Sequence, residues 1–234
     1  MKRILLIAGI TAGCVLIAAG LVLFLSPAQS PVPTAAPSPA IDVAGLKAKA
    51  AQGDAAAQAR LAKAFAEGDG VPRDYKQAAR WCGQAASNGN IEAEAMLGEL
   101  FQAGQGVHHD LTNAVRWFTK AAQQGSTTAQ YDLAYMCERG QGLPHDEKLA
   151  AHWYQLAAEG GDALAQFDYG QRRLLGLGVT KDPAEGLKWL LLSAAQGQPD
   201  ARAKVKSVQN DLTGEQIAEA KKRAAAFTPR AAGR

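Results

Sequence analysis

The chain has 234 residues, of which 47% are hydrophobic and 20% are charged, and its formal net charge at pH 7 is +3. The positive excess lies at the two ends, in Lys2 and Arg3 and in the residues after Glu219, so the body of the chain is slightly acidic. A slightly acidic body argues against nucleic acid as a partner.

The first predicted element is an uncharged apolar run from Ile4 to Leu25. As a helix rising about 1.5 Å per residue, this run is long enough to cross a hydrocarbon core about 30 Å thick. Cleavable signals usually have a shorter apolar core of about 7–15 residues, so residues 1–25 are predicted to be an uncleaved transmembrane anchor. The alternative is a signal peptide cleaved after Ala28.

Lys2 and Arg3 are the only charges near this run, which predicts that the N-terminus stays inside and the rest of the chain is exported. The expected location is therefore the inner membrane, with a single span and a periplasmic C-terminal domain. Cleavage would instead give a periplasmic or secreted protein. Residues 26–41 are rich in proline and alanine and are predicted to be a semi-rigid linker.

A unit of 36 residues then repeats along most of the chain. After a short capping helix predicted from Asp42 to about Gln52, four sets of residues recur in phase at this interval. Such internal repetition indicates a solenoid or array. The sets are Trp81, Trp117, Trp153 and Trp189; Gly53, Gly89, Gly125, Gly161 and Gly197; Gly70, Gly106, Gly142 and Gly178; and Asp74, Asp110, Asp146 and Asp182.

Each unit is predicted to contain two helices. In the first unit, Ala57, Leu61, Ala62 and Phe65 form the apolar stripe of a helix with one buried face. A Gly-x-Gly follows this helix and is predicted to provide its left-handed cap. An aspartate of the set beginning at Asp74 then caps the second helix.

In the fourth unit, Glu185 is expected to complete a capping box with Asp182. After Gly197, a fifth first helix is predicted to carry Ala201 and Val205 in phase with the repeat. A last helix is predicted to begin at Thr213 with a capping box to Gln216.

The combined pattern A-x-x-x-L-[AG]…G-x-G-[VL]-x-x-D-x-x-x-A-x-x-W-x-x-A-A-x-x-G resembles the Sel1-like repeat, a relative of the tetratricopeptide repeat. The resemblance implies an all-α fold, a right-handed α-solenoid of helix-turn-helix units spanning residues 42–227. The four full units are 53–88, 89–124, 125–160 and 161–196, with a C-terminal cap at 197–227. Residues 228–234 are expected to be a disordered tail.

The sequence shows no recognisable catalytic motif. No nucleophile motif is visible, no Cys/His spacing fits a zinc site, and no cofactor motif is completed, because the Gly-x-Gly pairs follow helices rather than strands. His109 and His145 occupy the same repeat position. The simpler interpretation of this position is a basic, solvated loop residue rather than a metal ligand. Cys82 and Cys137 are predicted to be free thiols that fill the core, since they belong to repeats that are not neighbours.

An export signal, a linker and a solenoid without catalytic groups together predict a non-enzymatic scaffold of the bacterial cell envelope. Similar Sel1-like proteins act as adaptors, which implies a protein or peptide partner. The alternative is an envelope enzyme or a peptidoglycan-active protein of β-lactamase type.

Partner specificity should lie where the repeats differ. By resemblance to tetratricopeptide repeats, the first helices line a concave groove, and the positions equivalent to 59, 63 and 67 are predicted to form a ridge on each of them. An alternative for Tyr131 and Phe167 is packing between repeats. The predicted binding residues are Glu99, Tyr131, Tyr135, Arg139, Phe167 and Gln171.

Overall fold

The computed structural model describes residues 42–230 of the chain. This part is built from eleven α-helices connected by short loops. The helices are α1 (Val43–Ala51), α2 (Ala55–Glu67), α3 (Tyr75–Ser87), α4 (Ile91–Ala103), α5 (Leu111–Gln123), α6 (Thr127–Arg139), α7 (Glu147–Glu159), α8 (Ala163–Leu175), α9 (Pro183–Ala195), α10 (Pro199–Asn210) and α11 (Gly214–Ala225).

The helices stack in chain order, which confirms the all-α solenoid. Helices α2 to α9 form the four repeats, each a first and a second helix packed together, and each second helix also packs on the next first helix. First helices of consecutive repeats touch directly as well, α2 with α4 and α4 with α6. This direct contact places the first helices on the inner, concave side of the array.

The predicted helix ends are confirmed in most places. The Asp74, Asp110, Asp146 and Asp182 side chains each accept hydrogen bonds from backbone N–H groups in the first turn of the second helix. The first glycine of each Gly-x-Gly pair is the left-handed cap of the first helix, at Gly68, Gly104, Gly140 and Gly176.

The two predicted capping boxes have different outcomes. Thr213 and Gln216 form the box at the start of α11, as expected. Glu185 instead pairs with Lys188 Nζ at 2.9 Å and with Arg223 at 3.0 Å. Two cationic partners attract this carboxylate more strongly than one backbone N–H group at the helix start.

The core of each repeat depends on small residues that face large ones. A Cβ atom at Gly98 would lie 2.7 Å from the ring of Phe118, which is fully buried. Because protein interiors are close-packed, only glycine leaves room for this ring. Ala62 and Ala134, at the same repeat position, are also fully buried.

A buried glutamine joins successive helices in three of the four repeats. The Gln58, Gln130 and Gln166 side chains donate to backbone carbonyls of the preceding helix, at Ala50, Ala122 and Ala158, over 3.0–3.2 Å. In repeat two the position is Glu94, which is fully buried and pairs with Lys120 Nζ at 2.7 Å. This polar repeat position was not predicted from the sequence. The signal for it is a polar residue that recurs every 36 residues between positions that are apolar.

The second glycine of each Gly-x-Gly pair has a different role from the first. Gly106, Gly142 and Gly178 lie directly against the first residue of the preceding second helix, Tyr75, Leu111 or Glu147. A Cβ atom at any of the three would overlap that residue's backbone carbonyl. These glycines therefore let each loop rest on the previous repeat.

The C-terminal cap packs on α9. Ala201 is fully buried and Val205 is partly buried, so α10 acts as the predicted fifth first helix. Helix α11 also packs on α9, where Arg223 pairs with Asp182 and Glu185. Arg223, one of the basic residues near the C-terminal end, is thus held in ion pairs with the last full repeat.

The segment after α11 remains attached to the repeats. The ring of Phe227 meets that of Trp189 edge to face at 5.2 Å, and Trp189 is only 2% exposed, whereas the other three tryptophans are half-buried. The Arg230 N–H donates to the Glu159 carbonyl at 2.7 Å, and its guanidinium pairs with the Glu159 carboxylate. The predicted tail at 228–234 therefore includes one residue, Arg230, that contacts the last repeats; residues 231–234 lie outside the described part.

The predicted anchor at 1–25 and the predicted linker at 26–41 also lie outside the described residues. Within residues 42–230, no helix combines the length and apolar character needed to cross a membrane. The anchor stays a prediction from the sequence.

Candidate functional site

The exposed face of the first helices is the candidate binding surface. In α2, α4, α6 and α8 the side chains at positions equivalent to 56, 60, 63 and 67 are exposed or partly exposed, while those at 57, 58, 61 and 62 are buried. We call the first set in repeats two to four the concave stripe. Its members are Glu92, Met96, Glu99 and Ala103; Thr128, Asp132, Tyr135 and Arg139; and Leu164, Asp168, Gln171 and Leu175.

Two of the six predicted binding residues lie off this stripe. The position equivalent to 59 is buried in the first two repeats, as Ala59 and Ala95. Tyr131 is partly buried at this position, donates its hydroxyl to Asp168 Oδ2 at 3.2 Å and meets Tyr154 edge to face. Phe167 packs against the cluster that joins α9 to the C-terminal cap. Both residues make the packing contacts that the alternative describes, and their part in binding stays a prediction.

The other four predicted residues are on the stripe. Glu99 and Arg139 are exposed, and Tyr135 and Gln171 are partly exposed. The Arg139 guanidinium lies over the Tyr135 ring, 4.7 Å from its centroid. This cation–π contact holds an aromatic and a cationic group together on the surface.

A buried arginine organises the junction between repeats three and four behind this stripe. Arg172 is 3% exposed and pairs with Glu138 at 2.8 Å and with Glu147. Its guanidinium also lies over the ring of Tyr154, whose hydroxyl donates to Glu138. Arg172 was not predicted from the sequence, because its equivalents Ala64, Leu100 and Met136 are apolar.

Two aspartates of the stripe lie in surroundings that disfavour their charge. Burial, together with the carboxylates of Glu99 and Asp162, raises the pKa of Asp132 from 3.8 to about 7. Burial also raises the pKa of Asp168 to about 6, although the hydrogen bond from Tyr131 opposes this change. Arg172 also opposes the rise at Asp168, whereas no cation opposes the rise at Asp132.

The substitution Asp132→Asn is expected to stabilise the fold in a pH-dependent way. Because the folded-state pKa is raised, the ionised carboxylate opposes folding fully above pH 7, and this penalty disappears as pH falls toward 4. One pKa unit corresponds to about 1.4 kcal/mol, and discounting for partial exposure leaves a gain of about 2 kcal/mol at pH 8.

Urea unfolding followed by circular dichroism at pH 8 and pH 4.5 measures this gain. Asp69→Asn, in an exposed loop, is the control, and its effect should be the same at both pH values. Equal effects of Asp132→Asn at the two pH values would contradict the interpretation.

Among the described residues, the two cysteines and His145 form no catalytic arrangement. Burial raises the pKa of the Cys82 thiol to about 12 and that of Cys137 to about 11, and both cysteines are free, as predicted. His145 contacts the Glu138 carbonyl and Glu147. No group of three or more potential metal ligands occurs among residues 42–230.

Comparison with known proteins gives a family match over most of the described part. A family model described as Sel1 repeat matches the chain four times, at residues 55–90, 91–126, 127–162 and 163–198. These four matches begin two residues after the units predicted from the sequence. A search of curated proteins found no match.

Two solved structures share the solenoid architecture. A protective antigen of uropathogenic Escherichia coli with an SLR fold, c5321, is 29% identical, with a TM-score of 0.70 over 78% of this chain and 40% of its own. A Sel1 repeat protein from Oxalobacter formigenes is also 29% identical, with a TM-score of 0.64 over 75% of this chain and 72% of its own. The chain thus spans less than half the length of the Escherichia coli protein.

Proposed function

Because this chain belongs to the Sel1 repeat family, whose members generally act as protein-interaction scaffolds, we propose that it is a non-catalytic adaptor that binds a partner protein on its concave stripe. The observation that supports this surface most directly is the divergence of the stripe between repeats. Packing positions repeat, as at the fully buried Ala62 and Ala134, whereas Glu99, Tyr135 and Gln171 share one position and have different chemistries.

The pair formed by Tyr135 and Arg139 is a proposed anchor of this interface. Aromatic residues and arginine are enriched among residues whose truncation costs about 2 kcal/mol or more of binding energy. Their mutual contact orders both side chains before binding, which lowers the entropy lost on association.

We also propose that the adaptor is held at the inner membrane by residues 1–25 with its repeats in the periplasm. The support is the apolar run Ile4 to Leu25 behind Lys2 and Arg3. In this arrangement, residues 26–41 act as a spacer that keeps the solenoid clear of the lipid surface.

Crosslinking in cells followed by purification of the full chain from separated membrane and soluble fractions tests both proposals. We expect the chain in the membrane fraction, crosslinked to a partner protein. The variant Tyr135→Ala/Arg139→Ala is expected to keep its melting temperature within a few degrees and to lose most of the crosslinked partner.

Arg80→Ala, an exposed arginine on the outward second helix α3, is the matched control and should retain the partner. A partner that crosslinks equally to all three proteins would contradict the stripe as the binding surface. Recovery of the chain only in the soluble fraction would contradict the membrane placement.

A further inference from the structure

The concave stripe ends in an unusually apolar surface at repeat four. Leu164 and Leu175 are 46% and 66% exposed on α8, and Leu177 in the following loop is 42% exposed. Leu164 lies at the start of α8, whereas Leu175 and Leu177 lie two residues apart at its end. Leu175 and Leu177 therefore form an exposed apolar surface at this end of the helix, and such surfaces can mark an interaction site.

A cavity adjoins this patch between α8 and the C-terminal cap. Its volume is about 350 Å³, and its walls include Gln171, Leu174, Leu175, Val208, Leu212 and Lys204. This volume is at the lower end of the range for ligand pockets, about 300–1,000 Å³, and accommodates one or two large apolar side chains.

Carboxylates of repeats two to four lie along the rest of the stripe. Glu99, Asp132 and Asp168 belong to three successive first helices of the concave stripe. Arg139 is the stripe's one cationic member, and its charge is already directed onto the Tyr135 ring. An occupant of this surface therefore meets negative charge along the stripe and, at its other end, a cavity with apolar walls that two lysines, Lys181 and Lys204, also line.

The occupant that matches both features is a protein segment with a basic and an apolar side chain. We propose, building on the adaptor role, that the partner inserts a leucine or an aromatic side chain into the cavity and places an arginine or lysine over Glu99, Asp132 and Asp168. Neighbouring helices lie about 8–10 Å apart and an extended chain rises about 3.3 Å per residue, so the two side chains should be about three to six residues apart.

Charge complementarity selects this occupant over others. A cation beside Asp132 offsets the burial and repulsion that raise the pKa of this carboxyl group to about 7 in the free protein. Tyr135 adds an aromatic face within the same stripe. An acidic peptide or nucleic acid would instead add negative charge to carboxylates that already repel one another.

Display of random dodecapeptides against the immobilised full chain tests the inference without knowledge of the natural partner. Enriched peptides are expected to combine an arginine or lysine with a leucine, phenylalanine or tryptophan three to six residues away. The affinity of one enriched peptide, labelled with fluorescein, is then measured by fluorescence anisotropy for the wild type and four variants.

Glu99→Gln/Asp132→Asn and Leu175→Ser are each expected to weaken binding at least tenfold. The matched controls are Glu215→Gln on α11 and Leu149→Ser on α7, which alter an exposed carboxylate and an exposed leucine away from the stripe. Both controls should bind within twofold of the wild type.

Two results would overturn the inference. One is enrichment of peptides that lack the basic and apolar pair, or the absence of any enrichment. The other is binding that survives the stripe substitutions. Neither result decides the adaptor role, since crosslinking of the whole partner protein measures that role separately.

Discussion

Gly106→Ala is expected to destabilise the fold by about 4 kcal/mol, one of the two largest effects of a single substitution in this chain. Gly106 has a φ of 71°, where a residue with a side chain is strained by about 1–2 kcal/mol. In addition, the new Cβ would overlap the carbonyl of Tyr75 and crowd the Lys76 nitrogen. Backbone atoms do not move aside as a flexible side chain does, so repeats one and two must separate.

Gly89→Ala separates the strain of a positive φ from the overlap with backbone atoms of the previous repeat. Gly89 has a similar φ of 79°, but no atom lies within 4 Å of the position its Cβ would take. Its substitution is therefore expected to cost only about 1 kcal/mol. Urea unfolding followed by circular dichroism measures both variants, and equal losses would show that the close approach at Gly106 contributes nothing.

Arg172→Ala is expected to destabilise the fold by about 3 kcal/mol. The substitution removes a buried guanidinium that two carboxylates and the Tyr154 ring surround, and leaves a cavity between repeats three and four. Breaking a buried ion pair typically costs about 3–5 kcal/mol. The lower end applies here because the side chains of Glu138 and Glu147 are 41% and 39% exposed and regain hydration.

Arg172→Met and Arg139→Ala are the controls for this prediction. Methionine is the residue at the same position of repeat three, Met136, so Arg172→Met keeps most of the packing and should lose about half as much stability. Arg139 is exposed, and its substitution should change stability by less than about 0.5 kcal/mol. A loss for Arg172→Ala no greater than that for Arg139→Ala would show that the buried pairs are not stabilising.

The repeat architecture was predictable from the sequence because its determinants are local. The aspartate caps, the left-handed glycines and the apolar stripes each act within a few residues of their own helix, and the 36-residue period aligns four copies of each signal. The same alignment of repeats also predicted the free thiols and the helix α10, which occupies the first-helix position after repeat four.

The binding ridge was less predictable because small angular errors accumulate around a helix. A ridge drawn in steps of four residues turns about 40° too far at each step, since an α-helix has about 3.6 residues per turn. The predicted ridge at 59, 63 and 67 therefore begins toward the core, at Tyr131 and Phe167. The exposed face of α6 follows steps of four, three and four, through Thr128, Asp132, Tyr135 and Arg139.

Other contacts were unpredictable because they join different repeats. The contact that makes Gly106 necessary is with Tyr75, which is 31 residues earlier in the sequence. Arg172 stands in an apolar column, and its acidic partners on α6 and α7 become neighbours only when repeats three and four stack.

The burial of Trp189 also gives this solenoid an internal optical probe. The indole of Trp189 is shielded by Phe227, which directly follows the terminal helix, whereas the half-buried indoles of Trp81, Trp117 and Trp153 remain in contact with water. An indole in an apolar environment emits at shorter wavelength than one exposed to solvent. The blue edge of the emission spectrum therefore reports attachment of the terminal helix, while the red edge reports the outer surface of the other three repeats.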